Sequence, residues 1–332
     1  MNIEDWALLE TGREICSDSD FRLVDIGDGV LGFEITSKHQ TLTIGLSNGL
    51  LRATNYLNNN NDYIGMVIVS PIGKNFCVGA NLLKVAEDYN AGDLMHTVDD
   101  MILCQTAYMG IKYSRKPIVV APAKRALGGG AELCLAAAKI VAAPNFMIGL
   151  VEANIGLIPG GGGCKELLLR FYELENQDVS EAAKRAFKVI SKSFVSKDAE
   201  NAKEIGYLKA SDISDADSQN LIEAGKKSVI ELAQNGYKAP ERQEVHLAPV
   251  DVYNEIVSEL EQKKNDSVIG EHEFYVASRI AKVLTSSESQ EEIVSEYDIL
   301  ENERMTFYHL ASTDKTYARV EHMLKTGEKL NN

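Results

Sequence analysis

The sequence predicts an α/β chain in which a strand-rich N-terminal half is followed by a helical C-terminal half. Residues 63–71 form an almost continuous apolar run, as expected of a parallel strand that is covered on both faces. Strand, turn, helix and strand follow one another in this region, an order that indicates right-handed crossover connections. After Gly163 the strand-like runs stop, and the apolar residues recur with the period of amphipathic helices.

The first elements are a predicted leader and a predicted hairpin. Residues 1–20 are expected to be a leader or linker, with at most one short helix around residues 5–16. Residues 21–26 and 30–36 are predicted strands joined by a turn at residues 27–29. The run from residue 27 to residue 32 also fits the dinucleotide pattern G-x-G-x-x-G. A strand rather than a helix follows it, and no acidic residue lies in the ribose position, so no NAD site is predicted.

The remaining elements are predicted from periodicity. Helices are predicted at residues 44–60, 81–88 and 94–113, and strands at residues 63–71, 117–122, 139–143 and 146–150. Strands are expected to stop near residue 155. Seven further helices are predicted, at residues 165–174, 179–190, 197–205, 218–234, 250–263, 269–284 and 295–310. The predicted domains are therefore a leader (1–20), a core (21–165) and a helical region (166–332).

Composition and charge narrow the class of protein. Lys and Arg number 34 and Asp and Glu number 49, giving a formal net charge of −15, which argues against nucleic-acid and anionic-membrane partners. No apolar run reaches the ~18 residues of a membrane helix. Five cysteines without metal-ligand spacing predict no metal site and no disulfide framework, which favours a reducing, cytoplasmic compartment. His272, flanked by two glutamates, is interpreted as a solvated helix residue.

Two glutamates stand out because each lies in an apolar, glycine-rich setting. Glu132 follows the run Gly128–Gly130 and precedes several small apolar residues, and Glu152 lies 20 positions later among Ile148, Leu150 and Val151. Burying an ionised carboxylate is costly, so an apolar stretch seldom holds two without a use. Because burial moves carboxyl pKa values towards neutrality, such a pair suits general acid and base catalysis.

The glycine runs predict close approach of the backbone to a ligand. Gly128, Gly129 and Gly130 precede a predicted helix start, where free N–H groups can bind a developing negative charge. The later run from Gly160 to Gly163 does not fit a Walker A motif, since Cys164 follows it in place of the required lysine. Close approach of the backbone to the active site, at the start of the next helix where small residues leave room for ligand, is the better interpretation of that run.

These segments resemble the enoyl-CoA hydratase/isomerase (crotonase) family. The matching motifs are Asn75-Phe76-Cys77-Val78-Gly79-Ala80-Asn81-Leu82, the stretch around Glu132, residues 149–163, and a later match over residues 195–206. The resemblance is strongest to the hydratase part of bacterial fused 3-hydroxyacyl-CoA dehydrogenase/enoyl-CoA hydratase enzymes. It implies a core of repeated ββα units in a spiral, followed by helices, with residues 268–289 as an additional helical segment.

The resemblance implies hydration of a trans-2-enoyl-CoA to a 3-hydroxyacyl-CoA in fatty-acid β-oxidation. Glu132 would activate the water and Glu152 would protonate the α carbon. The N–H groups of Ala80 and Gly129 would form the oxyanion hole that binds the thioester oxygen. Coenzyme A is part of the substrate, and no separate cofactor is implied. Members of the family often form trimers or hexamers, so a homo-oligomer is expected, or a fusion or partnership with a 3-hydroxyacyl-CoA dehydrogenase.

The resemblance also implies positions for coenzyme A. The residues that correspond to the family's coenzyme A contacts are Lys38, Gln40, Thr41, Leu42, Asn81, Leu82 and Lys84. Lys38 and Lys84 are the candidates for phosphate pairing, although surface lysines are often only solvated. Many members carry Asp in place of Asn81, a change that still provides a helix-capping side chain. The segment from Gln40 to Thr43 also departs from the family's Asn-Ala-Leu-Asn-like stretch.

Alternative functions stay open at this point. An enoyl-CoA isomerase or another crotonase-like lyase would use the same fold, although isomerisation commonly needs only one carboxylate. A non-catalytic crotonase-fold binding module, including one that binds RNA, is a different class of function, and the acidic balance argues against RNA. The chain is also compatible with being one half of a bifunctional enzyme.

Overall fold

A computed structural model describes residues 12–71 and 73–332 of the chain. The described chain divides into two compact units, each assembled from segments that are separated in sequence. The first unit comprises the described residues up to Ala80 together with Leu103–Gly149 and Val195–Glu241, and the second comprises Asn81–Ile102, Leu150–Phe194 and Arg242–Asn332.

The first unit is built on a six-stranded sheet. Its strands, in spatial order, are Arg13–Ser17, Phe21–Asp25, Val30–Ile35, Gly65–Val69, Ile118–Val120 and Lys139–Ile140. The first two pairings are antiparallel and the other three are parallel. All five residues of Gly65–Val69 are buried, which confirms the prediction of a parallel strand covered on both faces.

The hairpin prediction is confirmed. The strands on either side of residues 27–29 pair antiparallel, with Asp25 opposite Leu31. The Val30 N–H donates to the Gly27 carbonyl oxygen at 3.0 Å, and Gly27, Asp28 and Gly29 all have positive φ. Because the chain turns back as a strand, the G-x-G-x-x-G pattern here does not open a dinucleotide-binding helix.

A second, smaller sheet and four helices complete the first unit. Arg125–Leu127 and Met147–Gly149 pair as two parallel strands. The helices are Ile44–Asn59, Gly129–Ala136, Ala199–Ile205 and Leu221–Gln234, with a 3-10 turn at Lys38–Gln40. Helix Leu221–Gln234 packs on the sheet so closely that a Cβ on Gly225 would lie 2.4 Å from Val67 Cγ2. Val30, Val67, Val119 and Val229 belong to the core between them.

The second unit is mainly helical. Its helices are Leu82–Ala91, Gly163–Leu174, Val179–Ser191, Val250–Asn265, Glu271–Leu284, Glu296–Ala311 and Asp314–Thr326, and Glu152–Ile155 is a 3-10 turn. Helix Met95–Lys112 begins in this unit and ends in the first. Side-chain oxygens of Asp178, Ser295 and Thr313 accept hydrogen bonds from first-turn amides at the helix starts.

Two predictions of secondary structure are wrong. Residues 13–16 fall in a strand, whereas the sequence analysis placed a possible helix at residues 5–16; residues 5–11 lie outside the described part of the chain. Strands do not stop near residue 155, because Glu244–Leu247 and Glu292–Ser295 pair antiparallel. The predicted domain boundaries at residues 20 and 165 stay predictions.

Two further findings concern the described residues. None of the helices placed there combines the length and apolar character needed to cross a bilayer. No cluster of three or more His, Cys, Asp or Glu side chains in residues 12–71 and 73–332 is arranged to hold a metal ion. All five cysteines are free thiols.

Candidate active site

Glu132 lies in the first turn of helix Gly129–Ala136 and is only 3% exposed. Its carboxylate oxygen Oε2 lies 3.8 Å from the position that a Cβ on Gly129 would occupy. The helix begins after Gly128, which has a φ of 54° and a ψ of −125°, a conformation that glycine adopts without strain. The predicted general base therefore lies beside the backbone of a predicted oxyanion donor.

Gly130 is the tightest point of this helix start. A Cβ on Gly130 would lie 2.2 Å from the carbonyl oxygen of Cys77 and 2.7 Å from its Cβ. The same carbonyl accepts a hydrogen bond from the Leu127 N–H at 2.9 Å. Only a residue without a side chain lets residues 77 and 130 approach this closely.

The segment at residues 76–80 is fixed on one side by backbone hydrogen bonds. The Val78 N–H donates to the Gln40 carbonyl oxygen at 3.0 Å, and the Leu42 N–H donates to the Gly79 carbonyl oxygen at 2.8 Å. Leu42 and Ala80 also form an isolated parallel β-bridge. The predicted coenzyme A residues 40–42 thus lie directly beside a predicted oxyanion donor.

On its other side, the same segment lies against the helix start. Gly79 has a φ of 96°, and a Cβ there would lie 3.2 Å from the Leu127 carbonyl oxygen and 3.6 Å from the Gly129 nitrogen. Within the described residues, the N–H groups of Ala80 and Gly129 donate no backbone hydrogen bond. Two unused amide donors on neighbouring segments are the arrangement that an oxyanion hole requires.

Three buried side chains near Glu132 were not identified from the sequence. The Tyr108 hydroxyl donates to the Gly129 carbonyl oxygen at 2.8 Å. Burial raises the pKa of Cys77 to about 11, and the Glu132 charge adds to this effect. Burial also raises the pKa values of Cys104 and Tyr108. All three groups therefore stay neutral near pH 7.

The segment of the first coenzyme A residues is a compact turn. Lys38–Gln40 is a 3-10 turn in which His39 and Gln40 both have positive φ. The Thr41 hydroxyl donates to the Lys38 carbonyl oxygen at 3.0 Å, which closes the turn. The Lys38 side chain is exposed, so its ammonium group is available to a phosphate in solution.

Glu152 begins the 3-10 turn Glu152–Ile155 of the second unit and is partly buried. Its carbonyl oxygen accepts a hydrogen bond from the Leu157 N–H at 3.1 Å. The turn ends at Gly156, which has a φ of 82°. The Gly156 carbonyl oxygen accepts a hydrogen bond from the Thr316 hydroxyl at 3.0 Å, which connects the turn to helix Asp314–Thr326.

His272 corrects one prediction from the sequence. It is 4% exposed rather than solvated, and its Nε2 lies 2.8 Å from the Thr316 hydroxyl. Because that hydroxyl donates to Gly156, it accepts from His272, so the ring carries its proton on Nε2. Burial, with help from the Arg319 and Lys315 charges, lowers the pKa of His272 to about 4, so the ring is neutral near pH 7.

The glycines from 160 to 163 lie in the second unit, at the start of helix Gly163–Leu174. A Cβ on Gly160 would lie 2.3 Å from Met101 Cε and 3.3 Å from Phe307 Cδ2. Gly162 has a φ of 116°. These contacts show close side-chain packing around Gly160, and the predicted approach of this backbone to the active site stays a prediction.

Lys165, two residues after Gly163, forms ion pairs with carboxylates. Its Nζ lies 2.6 Å from Glu166 Oε1 and 2.9 Å from Glu296 Oε2, and its N–H donates to Glu303 Oε1 at 2.8 Å. Burial opposes the charge most strongly, but the two carboxylates more than offset it and raise the pKa of Lys165. This lysine therefore supports the unit internally and does not act as the lysine of a phosphate loop.

The other predicted coenzyme A residues lie at the start of helix Leu82–Ala91. Asn81 occupies the N-cap position but makes no side-chain capping hydrogen bond, so the expected capping role is wrong. Lys84 forms an ion pair with Asp88, whose second oxygen accepts a hydrogen bond from the Thr97 hydroxyl at 2.8 Å. Of the two lysines considered for phosphate pairing, Lys84 thus already has a counter-charge.

The structure therefore brings one part of the predicted site together within the first unit. Gln40, Thr41 and Leu42 lie beside Ala80, and Ala80 follows Gly79, which lies against Gly129 and thus next to Glu132. The other predicted residues belong to the second unit: Glu152, Asn81, Leu82 and Lys84.

The strand–helix core, the glycine-framed helix start and the buried carboxylate define a crotonase-like class of protein. Residues 27–189 of the chain match the model of the enoyl-CoA hydratase/isomerase family. The match confirms the resemblance found in the sequence.

Particular relatives refine this assignment. The chain is 35% identical over 328 residues to a probable 3-hydroxyacyl-CoA dehydrogenase of Bacillus subtilis (strain 168), covering 98% of the chain but 41% of that relative. It is 41% identical over 105 residues to a putative fatty acid oxidation complex trifunctional enzyme of Rickettsia felis, covering 31% of the chain and 14% of the relative. The chain thus spans less than half the length of these curated relatives.

Solved structures show the same fold. The enoyl-CoA hydratase structure from Bacillus halodurans superposes with a TM-score of 0.62 at 16% identity, covering 91% of the chain and 99% of that structure. A putative enoyl-CoA hydratase from Streptomyces avermitilis gives a TM-score of 0.60 at 18% identity, covering 94% and 93%. At these identities, the likeness establishes the fold.

Proposed function

We propose that the protein hydrates trans-2-enoyl-CoA thioesters to 3-hydroxyacyl-CoA in fatty-acid oxidation. The observation that carries this proposal is the Glu132 carboxylate, buried and 3.8 Å from the Cβ position of Gly129, whose N–H makes no backbone hydrogen bond within the described residues. A base and an oxyanion donor side by side suit the addition of water to a conjugated thioester. The family match over residues 27–189 and the similarity to fatty-acid oxidation relatives support the same substrate class.

In this proposal, the thioester oxygen accepts hydrogen bonds from the N–H groups of Ala80 and Gly129. Glu132 takes a proton from a water molecule while the oxygen of that water forms a bond to the β carbon. The electrons of the double bond move towards the thioester oxygen. Two fixed donors stabilise that enolate charge, and loss of one such donor typically costs ~10²–10³ in rate. Glu152 then gives a proton to the α carbon, which completes the addition of one water molecule.

The coenzyme A moiety is assigned to the turn at residues 38–42. Its backbone is fixed against Ala80 by the Leu42 bridge, so a ligand on this turn would lead towards the oxyanion donors. Lys38 is exposed at the same turn and is the proposed phosphate contact. Lys84, which is paired with Asp88, would have to exchange that partner for a phosphate group.

The 3-hydroxyacyl-CoA product is the substrate class of a 3-hydroxyacyl-CoA dehydrogenase. The chain matches 41% of a relative that is named as a probable dehydrogenase of this class. We therefore propose that this chain works in the cytoplasm joined to, or in partnership with, a dehydrogenase, and that it forms a homo-oligomer. Cross-linking and mass measurement of the purified protein test the second point.

The test of the reaction is hydration of crotonyl-CoA, followed by loss of absorbance from the conjugated thioester. We expect Glu132→Gln and Glu152→Gln each to lower kcat by about 10²-fold or more, as removal of a general acid or base does. The exposed Glu87 provides the control, and Glu87→Gln should leave kcat unchanged. Wild-type protein that moves the double bond of a 3-enoyl-CoA without hydrating crotonyl-CoA would establish an isomerase instead.

A further inference from the structure

Arg319 is a buried cation in the second unit, outside the proposed catalytic groups. It lies in helix Asp314–Thr326 and is 1% exposed. Its Nε–H donates to the Asn332 side-chain oxygen at 2.8 Å. Its terminal nitrogens, Nη1 and Nη2, have no hydrogen-bond partner among the described residues. A guanidinium keeps its charge in proteins, so burial without a counter-charge is costly.

Glu273, the acidic residue whose charge acts on Arg319, already accepts hydrogen bonds from other groups. Glu273 attracts the guanidinium electrostatically. Its Oε1 accepts a hydrogen bond from Lys329 Nζ at 2.7 Å, and its Oε2 accepts one from the Gly270 N–H at 3.0 Å. Both oxygens of this carboxylate therefore have partners other than Arg319.

Near Gly156, Arg319 lies close to two neutral side chains. A Cβ on Gly156 would lie 3.3 Å from Arg319 Cδ, 3.1 Å from His272 Nε2 and 2.8 Å from Thr316 Oγ1. The His272 ring is neutral near pH 7 and donates its Nε2 proton to Thr316. Lys315 adds a positive charge that His272 also senses. Among the described side chains, Glu273 is the one whose charge favours the guanidinium, and neither terminal nitrogen of Arg319 has a hydrogen-bond partner there.

Solvent comes close to this position. A cavity of about 610 Å³ is lined by Gly270, Glu273 and Lys329, among others. The position of a Cβ on Gly270 is 3.6 Å from the carbonyl oxygen of Asn332, the residue whose side chain holds Arg319 Nε. The cavity therefore lies beside the residue that binds Arg319 Nε, and Arg319 itself does not line it.

We propose that Arg319 binds a small monovalent anion, held end-on by Nη1 and Nη2, and that this anion neutralises the core of the helical unit. The two free nitrogens form a planar fork, which matches the two oxygens of a small carboxylate such as formate and can also hold a halide. Ordered water would satisfy the N–H groups but would leave the charge uncompensated. The site does not depend on the proposed hydration reaction.

The direct test is a crystal of the full chain grown in sodium bromide. We expect an anomalous difference peak within about 3.5 Å of both Nη1 and Nη2, the range of hydrogen bonds to a large anion. Density for water only, without anomalous signal at that position, would overturn the proposal. The comparison needs no variant and so does not depend on how a substitution folds.

The solution test is thermal unfolding in sodium formate, with ionic strength held constant by sodium gluconate. Binding to the folded state should raise the folding equilibrium constant about tenfold at a formate concentration nine times Kd, with saturation above it. Arg319→Gln should abolish the saturable stabilisation by formate. Arg319→Lys should weaken it, because a lysine lacks the planar pair of nitrogen donors.

Arg279 is the matched control, since it is exposed in helix Glu271–Leu284 and faces the Tyr275 ring. Arg279→Gln should keep the full dependence on formate. An identical saturable response in wild type and Arg319→Gln would place the anion elsewhere and refute the assignment. Should Arg319→Gln fail to fold, the bromide crystal of the wild type decides the question.

Discussion

The two predicted catalytic carboxylates are supported in different ways. Around Glu132, backbone groups and glycines from residues 40–42, 77–80 and 127–130 make the contacts. The turn that carries Glu152 is instead fixed by side chains, namely Thr316 and His272, which follow it by more than 100 positions. Where backbone groups make the contacts, stability should be most sensitive to substitutions that add side-chain volume. Where polar side chains make the contacts, stability should be most sensitive to substitutions that remove a hydrogen-bonding group.

The largest expected effect is from added bulk at Gly130. Gly130→Ala would place a methyl group 2.2 Å from the Cys77 carbonyl oxygen, where backbone must shift to accept it. We expect a loss of about 3 kcal/mol of unfolding free energy, at the upper end of overpacking effects, with a large loss of activity. Chemical denaturation and crotonyl-CoA kinetics measure the two effects.

Gly110 provides the control for that substitution. It lies inside helix Met95–Lys112, where an added Cβ would meet only ordinary contacts at 3.9 Å. Gly110→Ala should therefore leave the stability unchanged or raise it by up to about 1 kcal/mol, as helix propensity predicts. Equal losses in the two variants would contradict the view that close backbone packing supports Glu132.

The next largest effect is expected at Thr316. Thr316→Val keeps the shape but removes the donor to Gly156 and the acceptor for His272. Leaving these buried groups unpaired should lower the free energy of unfolding by about 2 kcal/mol, measured by chemical denaturation. Thr326 is the matched site, because it is exposed and its hydroxyl, among the described residues, bonds only to the nearby His322 carbonyl oxygen and Glu328 N–H; Thr326→Val should change the stability little. A stable Thr316→Val protein would show that the turn does not need this support.

His272 makes the stability of the second unit depend on pH. Its folded pKa of about 4 lies below the ordinary value of 6.5, so the unfolded state binds the proton more readily between these values. Its stabilising contribution is complete above pH 6.5 and is lost as the pH falls towards 4, by about 1–2 kcal/mol at pH 5. Against wild type, His272→Gln should show a shallower loss of stability between pH 7 and pH 5. Parallel curves would assign the pH dependence to other groups.

The smallest effect is expected where a side chain supports the first unit. Tyr108→Phe removes the hydrogen bond to the Gly129 carbonyl oxygen and should cost about 1 kcal/mol in stability. We expect kcat to fall more than KM changes, since the donor beside Glu132 would be held less firmly. Tyr297→Phe, at an exposed position, is the control. A larger effect than that of Thr316→Val would reverse the comparison between the two supports.

Local signals explain what could be predicted from the sequence. The turn at residues 27–29, the buried strand at Gly65–Val69 and the start of helix Gly129–Ala136 each depend on residues close together in the chain. Glycine runs and apolar periodicity report such features directly. Glu132 and its backbone partners were therefore within reach of sequence reasoning.

Long-range pairing explains what could not be predicted. Arg13–Ser17 is a polar edge strand whose charged residues carry no strand signal, and Glu244–Leu247 has only four residues. His272 stands between two glutamates, a local pattern typical of exposed helices, and only its packing against Thr316 makes it a buried group. Burial of this kind arises from tertiary contacts, which a single sequence does not display.

The pairing of Glu244–Leu247 with Glu292–Ser295 has a consequence for how the chain can change. Leu247 lies directly opposite Glu292, so the chain enters and leaves the intervening pair of helices at one point. A segment with adjacent ends can be lengthened, shortened or exchanged while the surrounding chain keeps its path, since the entropy of closing a loop grows slowly with its length. The two helices between these strands therefore form a segment that could be exchanged between relatives.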